Sequence, residues 1–451
     1  MGGMQQLRAP RGKGHRRVLV VAVALAAAVV VATARAASVI TETTWGGPGS
    51  EVTNGAAVAS DGSSYLTGFT NSFVQSGQQA FLTKFAANGS LSWQRTFQGP
   101  EQFTTDEGKG VAVAPDGSVY VTGQTVGVEG DVLLLKFSPD GSLQWQRRWD
   151  GGGAETGEAV AVGSDGAVYV TGGSATLGQF GPLFVLRFAP DGSLVWQRIR
   201  SVETGGAVGT GQGIAVGSDG SIYAAGVSPR PELGDFDMLL LKLDPTGALV
   251  WQRTYTSADV ADARGGVTVA ADGTVVVAGG LQAVTRRTAV NDTFVAKFGS
   301  EGSLIWDRGF GGDQGDFPGG VATRSDGTVL VGGETGSFGA GSDDAFLLQL
   351  DSAGKGLACN TWGGAGLDHG DDIELAPGGT VVLGGTTESP SFTFGTCPRQ
   401  VKRLKSTVAA PDVPVTDATG VVADPGGTVA TPNGTSPGAG GFDAALVRIA
   451  P

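Results

Sequence analysis

Residues 110–149, GVAVAPDGSVYVTGQTVGVEGDVLLLKFSPDGSLQWQRRW, contain four short apolar runs separated by turn signals. Positions 116–117 and 140–141 are both Asp-Gly pairs, which favour tight β-hairpins between apolar runs. The run 132–135 is apolar at every position and therefore indicates a strand that is covered on both faces. The stretch predicts a unit of four short antiparallel strands.

This unit recurs along the chain with a period of about 50 residues, which is typical of repeat architectures. Eight hairpin turns mark the copies: Asp61-Gly62, Asp116-Gly117, Asp165-Gly166, Asp219-Gly220, Asp272-Gly273, Asp326-Gly327, Gly378-Gly379 and Gly426-Gly427. Seven positions after the first residue of each turn stands a glycine, or Asn433 in the last copy. Because one unit cannot bury both faces alone, the copies are expected to stack radially as a β-propeller.

The two ends of the chain complement each other. The last copy ends at 442–449, FDAALVRI, which matches a third strand, whereas 39–47, VITETTWGG, matches a fourth strand. We therefore expect the N-terminal strand to complete the last blade and close the ring, which removes exposed sheet edges. The predicted fold is all-β: one propeller over 37–451, with four-stranded antiparallel blades. Eight blades are favoured, with seven as the alternative.

The motif GDVLLLKFSPDGSLQWQRRW at 130–149, with VAVAPDGSVYVTG at 111–123, resembles the bacterial SBBP-type β-propeller repeat. The resemblance covers essentially the whole chain after the first forty residues, and it is weakest in the seventh copy. It implies an exported or surface-located propeller, and the family name implies seven blades. It implies no single activity, because one fold hosts many functions.

Residues 1–36 are predicted to be a secretory signal peptide. A basic beginning, the apolar run 18–32 and the small-x-small sequence Ala34-Arg35-Ala36 are the three parts of such a signal. Cleavage after Ala36 would leave a secreted, periplasmic or cell-surface protein with no membrane insertion. Retention of the segment as an anchor is the alternative.

Charge and cysteine content narrow the classes of partner. The chain has a net charge of −13, and removal of the six cations in 1–36 leaves −19. Nucleic acids and anionic membranes need clustered Lys and Arg, so neither is expected as a partner. In an exported protein, Cys359 and Cys397 are expected to form a disulfide, with two unpaired thiols as the alternative.

Six carboxylates recur ten positions before the hairpin turns, and Gly209 and Thr416 occupy the other two places. Since this position lies where the connection between blades enters the innermost strand, a ring of acid near one channel mouth is predicted. Such a ring would suit Ca²⁺, which prefers several oxygen ligands. The alternative is that each carboxylate caps its own turn. The six residues are Glu51, Asp106, Glu155, Asp262, Asp316 and Asp368.

Arginines follow the outer-strand tryptophans at a spacing of two, as in Trp145 and Arg147. This spacing places both side chains on one face of the strand. A belt of Trp and Arg could contact anions or glycans. The alternative is structural: Arg lies over the Trp ring, and the charge protects the outer edge.

The entry to the seventh copy departs from the repeat. His369 is the one histidine that remains after cleavage, and Asp372 replaces a residue that is small in the other copies. Together with Asp371, these residues are candidates for a ligand site that binds a cation or transfers a proton. A degenerate blade stapled by the nearby cysteines is the alternative explanation.

These features favour a monomeric, non-enzymatic binding scaffold whose protein or glycan ligand occupies one mouth of the central channel. No cofactor other than Ca²⁺ is expected. The alternative is a carboxylate-dependent hydrolase or lyase that acts on extracellular polymers, since paired carboxylates alone can cleave glycosidic bonds. The two hypotheses differ in one feature: an enzyme needs an acid pair in loops that only one copy carries. The long inserts at 97–106, 228–236 and 281–290 are the places where such a pair would lie.

Overall fold

The computed structural model is a ring of seven antiparallel β-sheets, and each sheet is one blade of a propeller. It describes residues 38–74, 77–100, 105–125, 130–176, 179–200, 209–230, 235–257, 260–282, 291–411, 413–432 and 441–450. In this part of the chain the regular elements are β-strands and one short 3-10 turn, Pro377–Gly379. The prediction of a β-propeller is confirmed with seven blades, and the favoured count of eight is wrong.

Blades 1 to 4 each use four consecutive strands, which follow one another from the channel to the outer rim. Blade 1 comprises β2 (Glu51–Val58), β3 (Ser64–Thr70), β4 (Gln79–Phe85) and β5 (Leu91–Gln98). Blade 2 comprises β6 (Glu107–Val113), β7 (Val119–Thr125), β8 (Asp131–Phe137) and β9 (Leu143–Asp150). Blade 3 comprises β10 (Ala154–Val162), β11 (Val168–Thr176), β12 (Gln179–Phe188) and β13 (Leu194–Arg200). Blade 4 comprises β14 (Gly211–Val216), β15 (Ile222–Arg230), β16 (Asp235–Leu243) and β17 (Leu249–Thr256).

The inner strand of blade 5 is split in two, and blade 7 draws its strands from both ends of the chain. Blade 5 comprises β18 (Val260–Ala261), β19 (Val267–Val269), β20 (Val275–Gln282), β21 (Asn291–Phe298) and β22 (Leu304–Phe310). Blade 6 comprises β23 (Asp316–Thr323), β24 (Val329–Thr335), β25 (Asp344–Leu350) and β26 (Gly356–Gly363). Blade 7 comprises β27 (Asp368–Leu375), β28 (Val381–Thr387), β34 (Asp443–Ile449) and β1 (Val39–Trp45).

The Asp-Gly hairpins form for the reason that the sequence predicts. In blade 1, Gly62 has a φ of 82°, a left-handed backbone that glycine adopts without steric cost. The N–H of Ser63 donates to Asp61 Oδ1 at 2.8 Å, and this bond holds the pKa of that carboxyl below its usual range. The same bond from the residue two positions on recurs at Asp116, Asp165, Asp219, Asp272 and Asp326.

The N-terminal strand closes the ring. β1 pairs antiparallel with β34, with Trp45 opposite Ala444. Trp45 is 1% exposed and packs with Phe81 and Leu66 of blade 1, so it fills the space between the last blade and the first. The predicted closure is confirmed.

A segment inserted between β28 and β34 runs around the outside of the ring; we call it the belt (described residues 388–411, 413–432 and 441–442). It pairs antiparallel with the outermost strand of blades 6, 4, 3, 2 and 1 in turn. Its strands are β29 (Thr393–Thr396), β30 (Thr407–Ala409), β31 (Val415–Asp417), β32 (Val421–Ala423) and β33 (Thr428–Ala430). At blade 5 its backbone pairs with β22 at one bridge, Gly309 to Lys402, and Ser406 Oγ donates to Asp307 of the same strand.

The belt explains why the count of eight was wrong. The copy identified around Gly426-Gly427 has two apolar runs and a turn, which is the pattern of a hairpin. Its runs do not pair with each other: β32 pairs with blade 2 and β33 with blade 1. Thr416, which was aligned with the acidic positions, therefore lies on the belt opposite Ile199.

Glutamines on the outermost strands hold the belt in place. Each follows the tryptophan of its strand and donates through Nε2 to a belt carbonyl. The pairs are Gln94 with Pro432 (2.6 Å), Gln146 with Gly427 (3.3 Å), Gln197 with Gly420 (3.1 Å) and Gln252 with Val413 (2.6 Å). In blade 6 the equivalent position is Cys359, because it lies opposite Leu348 as Gln252 lies opposite Leu241.

The disulfide between Cys359 and Cys397 is present, as predicted. The sequence suggested that this bond stabilises a degenerate seventh blade, but it lies between blade 6 and the belt. It ties the first residues of the belt to blade 6, at the position where glutamine hydrogen bonds serve the other blades.

The arginines of the outer strands link neighbouring blades. In blade 2, the guanidinium of Arg147 lies 5.2 Å from the centre of the Trp145 ring, and its Nε donates to Gly192 O at 2.9 Å in the outer turn of blade 3. The same arrangement recurs at Arg95, Arg198, Arg253 and Arg308. The prediction that Arg lies over the Trp ring is therefore confirmed. The predicted protection of an open outer edge is not, because the belt pairs with the outermost strands of blades 1, 2, 3, 4 and 6.

Candidate functional site

The six carboxylates of the predicted ring lie at or near the start of the innermost strands, and five of them are wholly buried: Glu51, Asp106, Glu155, Asp316 and Asp368. In blade 6, Asp316 accepts hydrogen bonds from Gly312 N at 2.8 Å, from Ser337 Oγ at 2.7 Å and from Thr335 Oγ1. Together the three bonds join the connection between blades to the end of the second strand.

The other ring positions make comparable contacts. Glu51 and Asp368 repeat the glycine, threonine and serine bonds in blades 1 and 7. Asp106 accepts from Gly99 N at 2.7 Å, and Asp262 accepts from Gly280 N at 2.8 Å. Glu155 accepts from Gly151 N at 3.1 Å and from Ser174 Oγ at 2.8 Å. Each of the six side chains therefore accepts a backbone N–H, which for five of them comes from the preceding connection between blades and for Asp262 from β20. Cation binding by the ring stays a prediction.

One ring residue belongs to a group of three carboxylates at the seam between blades 2 and 3. One oxygen each of Asp131, Asp150 and Glu155 lies within 4.8 Å of the others, and this is the one such group in the described part of the chain. Arg148 forms an ion pair with Asp131 at 3.3 Å, so part of the negative charge is already compensated. If Ca²⁺ binds at a ring position, these three residues offer the densest set of oxygen ligands.

The central channel is lined by the first strands of all seven blades. Small residues stand where neighbouring strands approach most closely; a Cβ on Gly213 would lie 2.7 Å from the Cα of Gly266 in the next blade. Asp372 is larger than the residues at the equivalent positions of the other blades. Its Oδ2 accepts the N–H of Ala56 in blade 1 at 2.8 Å. It thereby joins the last blade to the first. Gly320 in blade 6 leaves the room that this side chain needs, since a Cβ there would lie 2.5 Å from Asp372 Oδ1.

The other two predicted ligand residues lie nearby on β27. His369 Nδ1 lies 3.2 Å from Glu334 Oε2 at the end of β24. Asp371 Oδ2 accepts a hydrogen bond from Thr386 Oγ1 at 2.8 Å. The structure therefore brings His369 beside a carboxylate of blade 6, while Asp371 and Asp372 bond elsewhere. The sequence analysis did not identify Glu334. It directly follows Gly333, the glycine seven positions after the hairpin turn, and the other copies have an uncharged residue at this position.

Carboxyl groups in the channel hold their protons unusually tightly. Burial raises the pKa of Asp371 and of Asp372 to about 7, and burial with repulsion from Asp372 raises the pKa of Glu374 to about 8. Burial also raises the pKa of Glu158 in blade 3 and of Glu334. Several of these side chains have intermediate solvent-accessible area. They nevertheless lie deep inside the ring, where less water surrounds the charged form, and this raises their pKa values. At neutral pH the channel therefore carries less negative charge than its carboxylate count implies.

A cavity of about 490 Å³ lies between blades 4, 5 and 6. Arg264 forms an ion pair with Asp262 at 2.7 Å, and its guanidinium lies 5.1 Å from the centre of the Phe317 ring. The amides of Gln282 and Asn291, opposite each other on β20 and β21, complete one wall. The cavity thus combines an aromatic ring, paired amides and a neutralised ion pair. We call it the mouth pocket.

The mouth pocket adjoins two of the three long inserts that distinguish individual copies of the repeat. Phe236, at the end of insert 228–236, and Leu281-Gln282, at the start of insert 281–290, lie at or beside its wall. The remaining parts of the inserts at 101–104, 231–234 and 283–290 lie outside the described residues. Among the residues that are described, no helix has the length and apolar character needed to cross a membrane.

Comparisons with known proteins agree with the fold. A family model described as a domain of unknown function (DUF5122) β-propeller matches residues 324–355. The chain is 28% identical over 240 residues to the regulatory protein FlaEY of Caulobacter vibrioides, a match that covers 44% of this chain and 25% of FlaEY. The chain thus spans about a quarter of that relative's length.

Two solved structures are similar to this chain with TM-scores below 0.5. Sqt1 of Chaetomium thermophilum has a TM-score of 0.43 and 7% identity, covering 77% of this chain and 95% of its own. A protein of unknown function from Dyadobacter fermentans has a TM-score of 0.43 and 11% identity, covering 83% and 100%. Neither likeness carries an argument about function. With the seven-bladed ring and the family-model match, the chain is a β-propeller protein.

Proposed function

We propose that this protein is an exported or cell-surface binding propeller that holds a protein or glycan ligand at the mouth of its central channel without chemically altering it. The mouth pocket is the observation that carries this proposal. Its volume of about 490 Å³ lies in the range of small-ligand sites. The repeat motif supports export, because it resembles the SBBP-type repeat of exported propellers.

The chemistry of the pocket favours a neutral, polar ligand with apolar faces. Phe317 offers ring surface, and the amides of Gln282 and Asn291 can each donate and accept hydrogen bonds. Because Asp262 neutralises Arg264 at 2.7 Å, the pocket exerts little net charge on a ligand. Sugar rings and uncharged peptide segments both fit this description.

The binding test uses an array of bacterial glycans and a panel of uncharged peptides, with surface plasmon resonance for every hit. Replacing Gln282 and Asn291 by Ala should weaken binding about tenfold, because hydrogen-bonding groups on the ligand lose their partners. Val250→Ser on the outer rim is the matched control and should change nothing. Hits that bind the double variant as tightly as the wild type would show that the pocket is not the site.

Export has a separate test. The full chain, expressed in a bacterial host, should appear outside the cytoplasm with Ala37 as its first residue. N-terminal sequencing of the secreted protein measures this directly. A protein that stays in the cytoplasm with residues 1–36 attached would contradict the export half of the proposal and leave the binding half standing.

One observation favours the alternative of a carboxylate-dependent hydrolase. Burial raises the pKa of Asp371 to about 7, so a substantial fraction of this carboxyl group is protonated at neutral pH. A general acid must carry such a proton. Any glycan that binds the array should therefore also be incubated with the protein and its products separated by chromatography. Cleavage that is lost in Asp371→Asn would replace the binding-only proposal with catalysis.

A further inference from the structure

The belt carries a cluster of cations where it crosses blades 5 and 6. Arg399, Lys402, Arg403 and Lys405 are all exposed. None of the four forms an ion pair with another residue that the structure describes. From 406 to 442 the sequence contains no Lys or Arg. A local positive patch therefore lies on a chain whose net charge is −13. We call residues 399–405 the cationic segment.

A groove of about 1050 Å³ lies between the cationic segment and the outer edge of blade 5. Arg403 and Lys405 form one side, and the side chains of Leu304, Ile305 and Leu404 supply apolar surface. Asp307 and Arg308 also line the groove, and the Asp307 carboxylate already accepts a hydrogen bond from Ser406 Oγ. Ile305 is 54% exposed, which is unusual for a large apolar side chain. The groove therefore combines positive charge with uncovered apolar surface.

The backbone edge of β22 is also available in this groove. Within the described residues, the belt pairs with β22 at Gly309 and Lys402 alone. The preceding part of the strand, from Leu304 to Trp306, has β21 on one side and the groove on the other. At Asp307 the side chain accepts a hydrogen bond from Ser406 of the belt, so the open edge ends there. An extended peptide can add to such an edge through main-chain hydrogen bonds.

The aromatic residue of the groove is already occupied, which narrows the class of partner. The guanidinium of Arg308 lies 5.5 Å from the centre of the Trp306 ring, and the turn at Gly354 packs against the same ring. Trp306 Nε1 donates to Ser352 O at 3.0 Å. No ring face is left for a nucleobase or a sugar to stack on, whereas the apolar side chains suit the side chains of a peptide.

We propose that this groove docks an acidic, extended peptide segment of a protein partner along β22. Carboxylates of the peptide contact Arg403 and Lys405, and its apolar side chains cover Ile305 and Leu304. The site lies on the outer rim of blade 5, away from the channel, and is independent of ligand binding at the mouth pocket.

The test is a selection from a displayed library of random linear peptides on the full chain. A second selection uses the charge-reversed variant with Lys402→Glu, Arg403→Glu and Lys405→Glu. These side chains are exposed, so the variant should fold, and circular dichroism with thermal unfolding checks this. The wild type should enrich peptides with Asp or Glu among apolar residues, and the variant should not. Enrichment without an acidic bias, or equal enrichment on both proteins, would overturn the proposal.

The enriched peptide is then labelled, and its binding is measured by fluorescence anisotropy. Ile305→Ser should weaken binding about tenfold. Val250→Ser is the matched control, because Val250 holds the same strand position in blade 4 and is 51% exposed. The belt residues that pair with blade 4, Thr407 to Ala409, include no Lys or Arg. If Ile305→Ser has no effect, or if a sulfated polysaccharide binds as tightly as the peptide, the patch is a simple anion site and the proposal fails.

Discussion

Gln252 offers the sharpest test of how the belt stabilises the ring. Its side chain is 5% exposed and joins three parts of the protein. Oε1 accepts from Arg200 Nε of blade 3 at 3.0 Å, and Nε2 donates to Val413 O of the belt at 2.6 Å. Methionine has nearly the same size and shape but can satisfy neither group. A buried polar group that loses its partner costs about 1–3 kcal/mol, so Gln252→Met should lower the free energy of unfolding by about 2–5 kcal/mol.

Blade 2 supplies the matched control. Gln146 holds the same position, but Phe97 stands where Trp45 and Trp149 donate to the glutamines of their neighbouring blades. Gln146 Oε1 is consequently buried without a hydrogen-bond partner among the described residues. Gln146→Met loses one bond of 3.3 Å and removes one unsatisfied oxygen. The free energy of unfolding should stay within about 1 kcal/mol of the wild type.

The measurement is equilibrium unfolding in guanidinium chloride, followed by tryptophan fluorescence, for the wild type and both variants. Limited proteolysis of the folded proteins gives a second readout, because a loosened belt should be cut first. Equal losses of stability for Gln252→Met and Gln146→Met would refute the reasoning. They would mean that the partners on neighbouring blades contribute nothing measurable.

Three further predictions concern the disulfide, the channel and the closing strand. Replacing Cys359 and Cys397 by Ser should lower the free energy of unfolding by up to about 4 kcal/mol, given the separation of 38 residues, and calorimetry under oxidising and reducing conditions measures this. Glu374 holds its proton more tightly in the folded than in the unfolded state, so wild-type stability should fall as the pH rises from 4.5 to about 8. Glu374→Gln should reduce that fall and leave the part that Asp371 and Asp372 contribute up to about pH 7, and a fall as large as in the wild type would contradict the burial argument. Deleting residues 38–45 removes β1 and the buried Trp45, so the protein should aggregate; a cooperative melting curve for the soluble deletion variant would count against closure by β1.

Local signals in the sequence were sufficient for the blade and for the closure. Asp-Gly turns such as Asp116-Gly117 act on neighbouring residues, so their outcome does not depend on distant parts of the chain. Each copy of the repeat has the same order of strands, so the fourth strand that is missing after 442–449 could be recognised at 39–47. The disulfide between Cys359 and Cys397 was predicted from the cysteine count together with the expected export of the protein.

The belt could not be predicted because its strands pair with partners far away in the sequence. The runs around Gly426-Gly427 have the local pattern of a hairpin, and only the outer strands of blades 1 and 2 decide that they pair elsewhere. The site was found in part for the same reason: His369 was singled out, but its partner Glu334 lies in another blade. The four cations of the cationic segment are visible in the sequence at 399–405. They were not identified as a patch because partners were inferred from the net charge of the whole chain.

The belt also has a consequence for the evolution of blade number. Six to eight residues separate its successive contacts with adjacent blades, centred on Gly395, Lys402, Val408, Thr416, Val422 and Val429. Extended chain reaches about 3.3 Å per residue, so each interval can span at most about 20–26 Å. Duplicating one blade would leave the belt one contact short of its return to β34. The length of the belt is therefore matched to the number of blades. A change in blade number requires an insertion or deletion in the belt, a segment that is not part of the repeat.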